Sequence, residues 1–316
     1  MLMFSRASAK PAKKLGQRSI QREVKAVGIG LHSGRTVEMT LSPAAADTGI
    51  VFERVDLTPP EIFRADAFSV GDTRLASTLA SARAKISTVE HLMAACAGLG
   101  IDNLRVQLGA EETPILDGSA APFVFLLASA GVVEQAASKK FWRCVTPVEV
   151  REGEKFARMS PWMGVKLHVD ISFDHPVLRG TANAEFDMGE ESFARKIARA
   201  RTFGFAQEVE ALREMGLARG GSLNNAIVLD EEQIVNHGGL RIEEEFARHK
   251  LLDALGDLRL SGHQILGFYE GSKPGHGLNN QLLRALFDQG ALELFEFANE
   301  NEAPPGLRFS PQSLLD

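Results

Sequence analysis

His249 and Asp253 lie four residues apart in the stretch Glu244 to Asp257, where Leu251, Leu252, Leu255 and Leu258 recur at helical spacing without an interrupting proline. A four-residue step puts both side chains on one helix face, one turn apart. An imidazole and a carboxylate so placed suit a zinc ion. They suit equally well an exposed polar face carrying a helix ion pair. Asp257 continues the stripe. A third imidazole, His91, stands directly after Glu90 and shifts the reading toward a metal. Successive helical residues point about 100° apart. Glu90 can therefore stand beside an ion held by His91 without being a ligand, the logic of hydrolases that pair a ligand histidine with a carboxylate base. Ser87 and Glu90 also have the spacing of a capping box, a purely structural use of the same glutamate.

The elements that must position these residues follow from the pattern around them. Val24 to His32 and Thr36 to Leu41 read as strands, as do Ile50 to Glu53 and Leu104 to Leu108. A helix runs from Ser87 through Met93, Cys96 and Ala97 and stops at Gly98 or Gly100. A second helix starts at Ala121-Pro122. The composition turns polar and alanine-rich from Glu134 to Lys140, which reads as a boundary between units 17–136 and 137–316. The second half repeats the order: strands at Val145 to Val150, Phe156 to Met159 and Val165 to Phe173, then a helix to Leu258, a strand at Ile265 to Tyr269 and a helix at Leu278 to Phe287. The expectation is an α+β protein of two similarly built domains, each a sheet with two helices. Each main helix carries one candidate histidine, so a shared metal would lie at the domain interface.

Two further motifs could do chemistry. Phe205, Val209 and Leu212 fall at helical spacing opposite Glu208, Glu210 and Arg213. This insert, about 201–228, is either an ordinary surface helix or an apolar wall able to hold a hydrocarbon chain. His276 stands between two glycines before a helix, exposed and mobile unless something fixes it, and could act as proton donor, electrophile or phosphate contact. His32, on a glycine-rich turn, is explained by a hairpin alone.

Composition removes several classes of function. A chain of 316 residues with 44% hydrophobic and 24% charged content has the make-up of a globular protein of about two domains. A net charge of -6 provides no basic field for nucleic acid. Cys96 and Cys144, without CxxC spacing, read as buried reduced thiols. No apolar run approaches the roughly 18 residues of a membrane span. Residues 1–16 carry Arg6, Lys10, Lys13 and Lys14 and no acid. They read as a disordered basic tail, with a transit peptide as the alternative. Such a tail can touch anionic lipid weakly, each basic residue adding about 1 kcal/mol near the surface.

Several ordered motifs together resemble a known family. Ser87-Thr88-Val89-Glu90-His91-Leu92, Gly100-Ile101-Asp102-Asn103 and Pro114-Ile115-Leu116-Asp117-Gly118-Ser119 resemble UDP-3-O-acyl-N-acetylglucosamine deacetylase. So do Arg201-Thr202-Phe203-Gly204-Phe205, Arg248-His249-Lys250-Leu251-Leu252-Asp253 with Gly256-Asp257-Leu258, and Gly275-His276-Gly277-Leu278-Asn279. The similarity runs roughly from Gln17 onward. It implies a zinc-dependent amidohydrolase of lipid A biosynthesis in Gram-negative bacteria, releasing acetate and the free amine from a UDP-linked acylated glucosamine. It implies one zinc ion on His91, His249 and Asp253, with Glu90 as general base. His276, oriented by Asp257, would protonate the leaving amine or stabilise the oxyanion, and Thr202 would donate to that oxyanion. Lys250 would contact the phosphates, with Phe203 and Phe205 bordering the nucleotide and acyl region. The family fold sandwiches its helices between two sheets. A monomeric cytoplasmic enzyme is expected, peripheral at the inner membrane at most. Another metallohydrolase, or a zinc-stabilised binding module with closed coordination, stays open as an alternative.

Overall fold

The helices around Cys96 and around Leu255 are buried on nearly all sides, and such helices belong between layers rather than on a surface. The computed structural model describes residues 13–178 and 182–308. Its helices are α1 (Glu90–Leu99), α2 (Ala121–Ser129), the short α3 (Phe193–Lys196), α4 (Ala206–Glu214), α5 (Glu245–Leu258) and α6 (His276–Asp288). In α1 every residue except Gly98 is buried; in α5 only Arg248 and Lys250 are not. The two pack against each other in the middle of the molecule. Their approach depends on Gly256, where a Cβ would collide with the carbonyl oxygen of Glu90. The residue without a side chain thus sets the crossing next to the chemically interesting glutamate.

The sheets cover this helical layer. The first half forms a five-stranded sheet in the order Val24–Ile29, Thr36–Pro43, Leu104–Leu108, Ile50–Arg54, Glu61–Arg64. Its buried Val37, Met39, Leu41, Phe52, Val106 and Leu108 join the core that contains α1. The second half forms a seven-stranded sheet centred on Gln264–Ser272, with α5 against Val165–Ile171 and Ala182–Asp187 and α6 against Val148–Glu152 and Lys155–Ser160. Each sheet contains a parallel pair joined across the chain segment that carries its main helix, Ile50–Arg54 with Leu104–Leu108 and Val165–Ile171 with Gln264–Ser272. The α+β architecture is therefore the one the pattern predicts, and the placement of its helices between sheets is the one the family resemblance implies. A small antiparallel sheet of Val70–Asp72, Thr78–Ala80 and Lys85–Ile86 precedes α1. It is tied to the second half because Arg284 donates to the Val70 carbonyl at 2.9 Å and Asn280 to that of Ala67 at 3.1 Å.

Three local expectations differ from the structure. Glu134 to Lys140 is largely strand, Val132–Ser138, paired antiparallel with Gly16–Ile20. That strand is half-buried on both faces, so it shows no apolar alternation from which to read it. The expected boundary at 136 falls inside it. The strand Phe141–Cys144, parallel to Gln264–Ser272, is too short to carry a period. The capping box does not form: the N-cap of α1 is Val89, Ser87 bridges to Glu112, and Glu90 accepts a bond from elsewhere. Of the basic tail, residues 1–12 lie outside the described residues. Lys13 pairs with Glu134 at 2.6 Å and Leu15 is buried.

A cluster of buried charge closes the far end of α1. Gly100 caps the helix in the left-handed region, with a φ of 64°. Arg18 donates to the Leu99 and Leu307 carbonyls, Lys139 to the Gly100 carbonyl and Asp102, and Arg259 to the Ile101 carbonyl. Cations at a helix carboxy-terminus meet the negative end of its dipole.

Candidate active site

The amino-terminal end of α1 meets the middle of α5, and there His91, His249 and Asp253 converge. One donor atom from each lies within 4.8 Å of the others, and all three residues are buried. Asp253 Oδ1 is 3.4 Å from His249 Nε2 and 3.7 Å from His91 Nε2. The other Asp253 oxygen accepts from Lys250 at 2.8 Å. His249 Nδ1 lies 3.0 Å from the Ala200 carbonyl, which can only accept, so this nitrogen carries the proton and Nε2 offers a lone pair. Burial pushes the His91 imidazole down to about 3 and lowers His249 as well, which keeps both neutral. Burial opposes the charge on Asp253, but His249 and Lys250 beside it hold the carboxyl well below its usual range. Two neutral imidazoles and one anionic oxygen, aimed at one point, fit a divalent cation of borderline softness.

Beside this triad stands a second pair. Glu90, buried in the first turn of α1, and His276, the first residue of α6, face each other with Oε1 and Nε2 3.9 Å apart. Burial pushes the Glu90 carboxyl up to about 8. Burial works against the His276 cation, yet Asp257 and Glu90 raise it to about 10. His276 Nδ1 lies 2.9 Å from Asp257 Oδ2, so the histidine that reads as a mobile loop residue is buried and fixed. A carboxyl that titrates near neutrality opposite an imidazolium is the arrangement of a base and an acid on two sides of one reaction.

Both groups open on a cleft of about 310 Å³. Glu90, His91, His249, Asp253, His276, Lys250, Thr202 and Phe203 line it, so eight of the ten residues singled out above share one cavity. Asp257 stands behind His276. Phe205 stands farther back, its ring 5.8 Å from Phe173 and 5.7 Å from His175. Thr202 is held by its backbone, donating to the Gly118 carbonyl and accepting from Ile227. The Lys250 ammonium lies 5.6 Å from the Phe203 ring centroid, its charge at the cleft wall. Phe203–Phe205 and Ile227–Leu229 pair in parallel through the crossover helix α4, none of whose residues is fully buried.

Several residues that shape the site are not among those given a role from the sequence. Ser77 donates its backbone N–H to Glu90 and its hydroxyl to Asp257. Asn279 donates to Asp257 at 2.8 Å and accepts from Tyr269 at 2.6 Å. Glu112, fully buried, accepts from the backbone of His32 and Ser33 and from the Thr88 hydroxyl. Thr88 holds a positive φ of 58° two residues before Glu90, a conformation that persists only where the surroundings enforce it. Tyr269 is the only tyrosine of the chain, the one compositional hint that could have marked it. Among the described residues no helix is long and apolar enough to cross a membrane. Against models of protein families, residues 17–288 match that of UDP-3-O-acyl N-acetylglycosamine deacetylase.

Proposed function

Because the chain belongs to the UDP-3-O-acyl N-acetylglycosamine deacetylase family, a hydrolase of lipid A biosynthesis, we propose the following division of labour among its residues. The reaction removes an acetyl group from the glucosamine nitrogen of a UDP-linked, acylated substrate. The observation that carries the assignment is the convergence of His91, His249 and Asp253 beside the Glu90–His276 pair.

Three protein donors with a side open to the cleft suit a catalytic zinc ion rather than a structural one. When bound, such an ion polarises the amide carbonyl and acidifies water from a pKa of about 15.7 to about 7. Glu90 takes the proton of the attacking water on its carboxylate. His276, protonated and held by Asp257 through Nδ1, stands ready with its Nε2 proton for the leaving nitrogen. Thr202 donates its hydroxyl to the developing oxyanion. Lys250 meets the phosphates, and Phe203 and Phe205 border the nucleotide and the acyl chain. The half-buried side of α4, with Val209 and Leu212, lines the acyl passage.

The two halves of the chain act as the two domains, the first reaching the end of the strand Val132–Ser138, with about 201–228 inserted into the second. The enzyme works as a cytoplasmic monomer, with contact to the membrane surface confined to its basic amino-terminal residues. The test is acetate release from UDP-3-O-acyl-N-acetylglucosamine by the chelated protein, by the same protein with zinc restored, and by His249→Ala. Activity that depends on neither zinc nor His249 would remove the assignment.

A further inference from the structure

Glu90 and Asp257 belong to different helices from different halves of the chain, yet the proposed chemistry needs them in register. Both are acids, and nothing in their own helices donates to both. Ser77 does. Its backbone N–H donates to Glu90 Oε2 at 3.1 Å and its hydroxyl to Asp257 Oδ1 at 2.6 Å. Its carbonyl accepts from the N–H of Val89, the N-cap of α1, at 3.4 Å. The residue is 1% exposed, so water cannot take over these bonds.

We propose that Ser77 is a positioning residue of the acid–base pair, registering the Glu90 carboxylate against the His276–Asp257 dyad. The reason lies in the acceptors of Asp257. Oδ2 takes His276 and Asn279, whereas for Oδ1 the Ser77 hydroxyl is the donor seen. Without that hydroxyl a buried carboxylate oxygen loses its partner, a costly state that the group relieves by turning. Turning it misaligns His276 Nδ1, and with it the proton on Nε2. The backbone bond to Glu90 survives any side-chain replacement, so the base stays in place while the acid moves. This inference rests on the roles given above to Glu90 and His276.

Ser77→Ala is expected to lower kcat by about 10- to 100-fold, the scale of a misplaced catalytic group. KM and the zinc content should stay within about twofold, because neither binding nor the ligands are touched. In a His276→Gln background the same substitution should have little further effect, since its target is already gone. Ser77→Thr and Ser77→Val have nearly the same shape and differ in the hydroxyl; threonine should keep most of the rate and valine should not. That pair decides the matter if the alanine protein folds poorly. A Ser77→Ala enzyme with kcat within about twofold of the parent overturns the proposal, as do equal losses in the two backgrounds or equal rates for threonine and valine. If His276→Gln and Glu90→Gln themselves leave the rate unchanged, the underlying assignment falls instead.

Discussion

At its amino-terminal end α1 presents Glu90 and His91 to His249, Asp253 and His276; at its carboxy-terminal end Arg18, Lys139 and Arg259 gather round Asp102. Both clusters are buried and both join the two halves of the chain. Their bookkeeping of donors differs. At the carboxy-terminal end the cations meet the Leu99, Gly100 and Ile101 carbonyls and Asp102. At the other end lone pairs on three residues point at a common centre, and an acid faces a base at 3.9 Å. Cations set against carbonyls and a carboxylate hold a structure together, whereas convergent lone pairs leave room for a cation. The same helix thus carries a structural end and the end at which the proposed chemistry takes place.

The largest effect should come from the chemical end. Asp253→Ala is expected to lose the metal, read as metal per chain by mass spectrometry, and to bring acetate release down to background. Glu90→Gln should keep the metal and lose roughly 10²- to 10⁴-fold in kcat, the usual share of acid–base catalysis. Metal loss in that variant would mean that Glu90 is a ligand and not the base.

The structural end should answer to stability instead. Asp102→Asn leaves buried cations short of a partner and should cost about 3–5 kcal/mol in a denaturant titration. Its kcat, measured well below the melting temperature, should be unchanged. A large drop in kcat there would erase the contrast between the ends.

Alkaline pH offers the finest test, because the two ends respond with opposite sign. His276 is raised from 6.5 to about 10, so its contribution to stability is complete below its unfolded value and is lost as pH climbs through about 10. Lys139 is lowered by burial from 10.5 to about 8. The unfolded chain then binds more protons between these values, and stability should rise with pH across that window. In unfolding titrations from pH 7 to 10.5, His276→Gln should remove a fall and Lys139→Met a rise. Parallel slopes in the two variants would show that the carboxylates beside His276 do not outweigh its burial.

Much of the site was legible because helical spacing is a local property. The four-residue step from His249 to Asp253 and the adjacency of Glu90 and His91 put on shared faces, before any packing was known, side chains that the fold brings together. The strand at Leu104–Leu108 and the helix opening at Ala121-Pro122 were equally plain. The capping box, the structural alternative for Glu90, had its spacing present, but tertiary structure gave Glu90 a different donor. The roles of Ser77, Asn279 and Tyr269 were invisible, as a serine, an asparagine and a tyrosine acquire meaning only from what stands opposite them. The strand Val132–Ser138 escaped because neither of its faces is fully buried.

Taken alone, the order of residues determined which side chains share a face and which chemistry those types could support. Only the folded molecule decided which faces meet. That choice rests on long-range packing, above all the close passage of Gly256 against the Glu90 backbone, and such proximity leaves no periodic trace in the chain.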